Sequence, residues 1–413
     1  MNPPRRILPL FLILLVLSGC KQRMSEPGGD DAPDETAVEV TVLSEGEIAT
    51  IRRAVEQCGG VLRLDEEGQP KAVDLAVERG SADKAGLQAA LGYPELKSLR
   101  LRAASLTEKD LAGIASLALL EELFLQDVPI QDELLATLME HLTSLRRLTL
   151  RNVSGVTSTE SLVSLPNLTH LALIDMPIEV DAIEPLTKAK SLVSLDLRMC
   201  GRLGGEQLAA LASCSGLKEL KLGGYAIDNR SMVTVASMTA LESLTVEDAS
   251  IDAEGLAELI LIGPRLRSLS LTRCSGLGDD ELQAIDAFDG LHALVLRDMP
   301  VTGEFLQHIA SPEQLETLSL NQTFLTGEAM DAIVRCEHLK RLELAQNFLS
   351  DGAVEKISTL ADLEYLNLTE CGLDAAALEP LKKLENLKTL LVDGNSDVDE
   401  QTVKELLGVS SAE

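Results

Sequence analysis

The residues of this chain best suited to chemistry are cysteines lying beside charged groups. In "LDLRMCGRLGGEQLAALASC", Leu195 to Cys214, two cysteines share a short window with Asp196, Arg198 and Glu206. Such a set could supply a thiolate nucleophile, a pair of metal ligands or a disulfide. Each of these needs a second group held at a fixed distance. The five histidines, His141, His170, His292, His308 and His338, follow no common spacing, and no zinc-protease, nucleophile-elbow, phosphate-loop or dinucleotide pattern occurs. The run Asp393 to Glu400 starts like a calcium loop, with Asp393, Asn395 and Asp397 alternating. Val398 stands where that loop needs glycine and Lys404 where it needs glutamate, so an acidic turn is the better reading. No metal, no cofactor and no catalytic residue is therefore expected.

What positions the cysteines is a period. From Leu96 onward the pattern leucine, two variable residues, leucine, one variable residue, leucine recurs, with first leucines at Leu96, Leu120, Leu145, Leu168, Leu192, Leu217, Leu241, Leu266, Leu291, Leu315, Leu339, Leu363 and Leu387. Segments such as "LRSLSL" alternate as strands, and segments such as "DDELQAIDAF" place apolar residues at helical spacing behind an acidic start. In this register Cys200, Cys274 and Cys371 each lie eight residues after a first leucine, a slot that Val128, Val153, Met176 and Met299 fill elsewhere. Cys214 and Cys336 each lie three residues before the next first leucine. A slot with such occupants wants a medium apolar or soft side chain. Cys200 and Cys274 are three units apart, about 15 Å at one strand spacing per unit, which is beyond disulfide reach. Structural free thiols are expected. Cys58 has no register mate.

A repeat of this length headed by L-x-x-L-x-L resembles the leucine-rich-repeat family, over the chain from about Ala72 to its end. Units such as "LTRCSGLGDDELQAI" also resemble the cysteine-containing subtype. The fold class expected is α/β, a leucine-rich-repeat solenoid or horseshoe with a concave parallel β-sheet, convex helices and an N-terminal helix-hairpin cap. Helix starts such as "TEKDLAGI", "DAEGLAEL" and "TGEFLQHI" begin with capping or acidic residues, which satisfy first-turn amides. "EGEIATIRRAVEQCGG" reads as the cap helix, and "VLRLDEEGQPKAVDLAV" as two strands around a turn with Gly68 and Pro70.

The N-terminus speaks to location. Arg5 and Arg6 precede an apolar run, Ile7 to Leu17, too short to span a bilayer comfortably. Leu17-Ser18-Gly19-Cys20 resembles the lipobox of bacterial lipoproteins, which implies a lipid on Cys20 as the first mature residue and a membrane partner through that anchor. An uncleaved signal anchor or a chance cysteine is the alternative. Lys21, in place of aspartate, favours the outer over the inner membrane in a Gram-negative cell. The expected segments are 1–19 signal peptide, 20–37 lipidated cysteine and flexible acidic tether, 38–71 cap and 72–413 repeat domain.

With 413 residues and a formal net charge of −30, the chain is a poor nucleic-acid ligand. Function is expected on the strands' outward columns, the third, fifth and seventh residues counted from each first leucine as residue one, as the family resemblance implies. Arg100, Arg102, Phe124, Arg147 and Arg151 form a basic patch there, and Arg198 and Arg297 continue the seventh column. This patch either meets a protein or envelope-polymer partner or balances neighbours such as Asp196 and Glu122. Phe324, Phe348 and Tyr365 form a second candidate, either an anchor or packing at the loop edge. The expected function is a non-catalytic binding surface on an envelope lipoprotein. A structural spacer is the alternative, and an enzyme is a third class.

Overall fold

A computed structural model of the protein describes residues 42–77, 81–178, 180–349, 352–396, 398 and 403. Cys20 and the segment before Val42 lie outside the described residues, as do Asp397 and Lys404.

The chain is the expected α/β solenoid. Fifteen strands form one sheet in strict sequence order. A hairpin comes first, β1 (Val61–Leu64) against β2 (Pro70–Leu75), antiparallel around Gly68, whose φ of 79° needs a residue without Cβ. Every later strand joins in parallel: β3 (Ser98–Arg102), β4 (Glu122–Gln126), β5 (Arg147–Arg151), β6 (His170–Ile174), β7 (Ser194–Arg198) and β8 (Glu219–Gly223). They continue as β9 (Ser243–Glu247), β10 (Ser268–Thr272), β11 (Ala293–Arg297), β12 (Thr317–Ser319), β13 (Arg341–Glu343), β14 (Tyr365–Asn367) and β15 (Thr389–Leu391). Register is set by leucine on leucine: Leu99, Leu123, Leu148 and Leu171 are successive cross-strand partners, all buried. One apolar strand edge cannot be buried by its own unit, so each repeat completes the core of its neighbour.

The cap is α1 (Glu45–Gln57), opened by a Ser44–Glu47 capping box and packed against α2 (Lys84–Leu91). Gln69 ties the cap down, its side-chain amide accepting from the Leu43 amide and donating to the Leu43 carbonyl. β2 pairs with both β1 and β3, so the second hairpin strand is also the first strand of the solenoid.

Two expectations about the helix side need correction. The segment within Asp279 to Phe288 is a 3-10 helix, Glu281–Ala287, rather than an α-helix, as is Glu304–His308 in "TGEFLQHI". The tighter 3-10 turn advances further per residue, which suits the few residues between a strand and the next first leucine. Capping is also shared between repeats. Thr107 and Asp252 cap their own helices. The amides of Thr302, Gly303 and Phe305 instead donate to Asp279 of the preceding repeat.

Three regular columns run along the stack. The eighth residue of successive repeats turns the chain out of the strand with left-handed backbone, φ 49–62° at Asp127, Asn152, Asp175, Met199, Asp248, Arg273, Asp298, Gln322, Gln346 and Glu370. Its amide extends the sheet ladder by one rung, donating to the next strand's last carbonyl, as Asp127 does to Arg151 and Asp248 to Thr272. The second residue alternates in sign at Lys97, Glu121 and Arg146, at Lys218, Glu242 and Arg267, and at Glu316, Lys340, Glu364 and Lys388. Ion pairs form at Lys97–Glu121, Lys218–Glu242, Glu316–Lys340 and Glu364–Lys388.

The ninth residue, the cysteine slot, forms the third column. Cys200, Cys274 and Cys371 are buried, and each thiol donates to the carbonyl of the sixth residue in the preceding repeat: Leu173, Val246 and Leu344. Asn347 and Asn395 make the same bond better, to Leu320 at 2.6 Å and Leu368 at 2.7 Å, and add a second donor bond to their own repeat at Leu344 and Val392. The slot therefore offers a carbonyl acceptor that cysteine and asparagine use, while valine and methionine fill it by shape alone.

Candidate partner-binding face

The chemical candidates resolve into structure. Burial pushes the thiols of Cys200, Cys274, Cys336 and Cys371 up to about 11, so at neutral pH they are protonated donors and poor nucleophiles. All six cysteines among the described residues are free thiols. Asn395, in the calcium-like run, is committed to the backbone, its oxygen accepting from the amides of Cys371 and Leu373. Among the described residues no three His, Cys, Asp or Glu side chains gather as metal ligands. The histidines bond locally: His141 to Thr137, His170 to Thr169, His292 to Gly290, and His338 to Asp362.

The sheet face brings together Arg100, Arg102, Phe124, Arg147 and Arg151 because β3, β4 and β5 pair in register, with Arg100 opposite Phe124, and Gln126 between Arg102 and Arg151. The Arg100 guanidinium carbon stands 4.2 Å from the Phe124 ring centroid, and its Nε donates to Asp74 at 3.1 Å. Arg147 pairs with Glu122 at 3.4 Å, and Arg102 donates to the Val77 carbonyl. The sequence pattern did not single out Arg63. The hairpin sets it opposite Ala72 and so on this same face, and with Asp74, Ser98, Arg100 and Glu122 it lines a recess of about 300 Å³. Arg63 and Arg151 are exposed, and neither has a carboxylate partner among the described residues. With Arg100 paired to Asp74 and Arg147 to Glu122, Arg63 and Arg151 leave this end of the face with uncompensated positive charge on a strongly acidic chain. Seeing Arg63 in the sequence required the cross-strand register of an antiparallel hairpin, which the leucine period does not carry.

Arg198 has a different situation. It donates Nε and Nη2 to Asp196 and Nη1 to Glu247 at 2.8 Å, and these carboxylates raise its pKa above the ordinary arginine value, Asp196 most. It reaches Glu247 by crossing β8 above Gly223, where a Cβ would lie 3.3 Å from the Arg198 Cγ. Its charge is satisfied within the protein. Arg297 donates to Gln322.

The three C-terminal aromatics are placed on two surfaces. Tyr365 lies on the sheet face under Arg341, whose guanidinium carbon is 3.6 Å from the ring centroid. Phe324 and Phe348 stand on the turns that leave β12 and β13, 70% and 85% exposed. On the turns that leave β7 and β8, Met199 is 53% and Tyr225 85% exposed, and neither was singled out from the sequence. Tyr225 occupies the slot that Cys200 fills in the preceding repeat. It faces out after Gly224, whose φ is 122° where neighbouring repeats hold about 55°.

Among solved structures, the chain is similar to an internalin from Listeria monocytogenes, 22% identical over 89% of this chain and 94% of that one, with a TM-score of 0.49. It is also similar to a leucine-rich-repeat protein of Leptospira interrogans, 16% identical over 87% of this chain and 97% of that one, TM-score 0.43. The TLR13–ssRNA13 complex contains a third similar chain, 19% identical over 74% of this chain and 44% of that one, TM-score 0.42. No protein-family model and no curated protein matches the sequence.

Proposed function

We propose that this protein is a non-catalytic binding scaffold of the bacterial cell envelope, held to the membrane by a lipid on Cys20 and engaging an acidic protein segment or anionic envelope polymer through the basic end of its sheet face. The observation that carries the reading is the recess bounded by Arg63 and Arg100, with Arg151 on the same face and neither Arg63 nor Arg151 held by a carboxylate. Unpaired arginines on a rigid sheet are ready to take carboxylates without first giving up an internal partner. The envelope location is supported by the sequence alone, by the basic start, the short apolar run and the lipobox-like Leu17-Ser18-Gly19-Cys20. Stable anchoring by lipid needs more than one acyl chain, as the lipoprotein modification supplies.

A structural spacer without a dedicated partner is favoured by one observation. Arg147 and Arg198 meet carboxylates of the protein itself, so part of the basic character is internal.

Arg63→Glu with Arg151→Glu tests the binding reading, because both side chains are exposed and the change leaves the core alone. Capture of partners from envelope extract by the folded domain is expected to fall at least tenfold, and unchanged capture overturns it. Fatty-acid labelling of the full chain tests the anchor: Cys20→Ala is expected to abolish the label, and retained label excludes that site.

A further inference from the structure

The turns that leave the strands carry a pattern that the basic patch does not explain. Only eight tyrosine and phenylalanine side chains lie among the described residues, and three of them, Tyr225, Phe324 and Phe348, are at least 70% exposed on this one edge. A protein so poor in aromatics has little reason to leave these three in water unless they meet something. Met199, exposed beside Tyr225, makes two adjacent apolar pairs in neighbouring repeats: Met199 with Tyr225, and Phe324 with Phe348. Parallel strands put both pairs on the same edge. Five repeats separate their centres, about 24 Å at about 4.8 Å per strand.

Carboxylates accompany both pairs in the left-handed column. Asp175 precedes Met199 by one repeat, Asp298 precedes Phe324 by one, and Glu370 follows Phe348 by one. All three are exposed; Asp175 and Asp298 form no ion pair among the described residues, though Asp298 also lies within the field of Arg273, one repeat before it and bonded to Asp248. Glu370 accepts only a neutral amide, from Gln346. Between the two pairs, Asp248 is already neutralised by Arg273, so the uncompensated negative charge lies beside the aromatics.

We infer that this edge is a second docking surface, independent of the sheet face, and that it takes an extended protein segment carrying lysine or arginine at two points about seven residues apart. Each long cationic side chain lays its stem or guanidinium plane on the exposed rings and its charge against Asp175, or against Asp298 and Glu370. The spacing follows from the separation of the pairs and the rise of about 3.3 Å per residue in an extended chain.

The probe is a labelled peptide of glycine and serine with two arginines seven positions apart, measured by fluorescence anisotropy at physiological salt against the folded domain. Tyr225→Ser with Phe348→Ser changes no charge and no buried side chain, and is expected to weaken binding at least tenfold with an unchanged melting curve. Binding within twofold of the parent overturns the proposal, because it leaves only diffuse attraction to an acidic protein. Arg63→Glu with Arg151→Glu is expected to retain the probe. Loss of the probe in that variant, with the aromatic variant unaffected, moves the site to the sheet face and likewise overturns the edge assignment.

Discussion

Arg198 on β7 and Glu247 on β9 form a 2.8 Å ion pair across the intervening strand β8, passing over Gly223. The pair joins three repeats where backbone pairing joins only two at a time. Gly223 is what the pair depends on, since any side chain in its seventh-column position stands in the path of Arg198. Gly223→Leu is expected to cost about 1–2 kcal/mol in chemical denaturation, and Glu247→Gln about 1 kcal/mol for a part-buried pair. The double variant should lose less than the sum, because both changes remove one interaction. Strict additivity would show that the two residues are not coupled.

The ninth-residue slot predicts a graded series. Asn347 donates to the carbonyls of Leu320 and Leu344 and accepts from Thr323, all in the interior. Asn347→Leu removes these bonds, leaving the Leu320 carbonyl only the Thr323 hydroxyl and the Leu344 carbonyl only the Cys371 thiol, and is expected to cost about 1–3 kcal/mol. Cys200→Ser keeps a donor for Leu173 and should cost less than Cys200→Ala, which loses both the bond and the volume. Equal loss for serine and alanine would show that the slot selects shape alone.

The same thiols set an alkaline limit. Their folded pKa of about 11 exceeds the ordinary thiol value of 9.0, so the folded state holds protons that the unfolded state releases. Their contribution to stability is whole below pH 9 and is lost as pH rises through 11, at up to about 1.4 kcal/mol per pH unit for each group. Urea midpoints measured from pH 8 to 11 should fall, and the fall should be shallower in Cys274→Val. At pH 8 a thiol reagent should leave Cys200, Cys274, Cys336 and Cys371 unmodified until denaturant is added. Rapid labelling of all four in the native state would contradict their burial.

Met199 holds φ 62° in a column otherwise dominated by Asp, Asn, Gln and Gly. A left-handed backbone costs an unbranched non-glycine residue roughly 1 kcal/mol, and asparagine less. Met199→Gly and Met199→Asn are each expected to raise the melting temperature, with a gain of about 0.5–1 kcal/mol. A destabilised Met199→Asn variant would mean that the methionine side chain makes a contact worth more than the strain.

The leucine period made the sheet legible, because a stack of identical units repeats its register in the letters. Thus Leu99, Leu123 and Leu148 could be placed as neighbours before any coordinates. The pattern did not show what depends on backbone. The left-handed column is invisible as a hydrophobic period, since Asp127, Met199 and Arg273 share a conformation and no chemistry. The slot at Cys200 and Asn347 looked like a choice of size because cysteine, valine and methionine are alike in bulk, and the carbonyl it serves belongs to another repeat. Arg198 read as a surface charge until Gly223 and Glu247, one and two strands away, were set beside it. Arg63 was missed because a hairpin, not the period, brings it to the face.

The alternating second column has a consequence for how such a chain can lengthen or shorten. From Glu316 to Lys388 the signs follow each other repeat by repeat, so excising one internal repeat sets two like charges side by side, whereas excising two restores the sequence of signs. Each exposed pair contributes little alone, yet like charges one strand apart oppose the stacking that favourable pairs support. Over these four repeats the ladder thus confers a parity: two repeats, rather than one, are the unit in which this stretch can gain or lose length with its edge in balance.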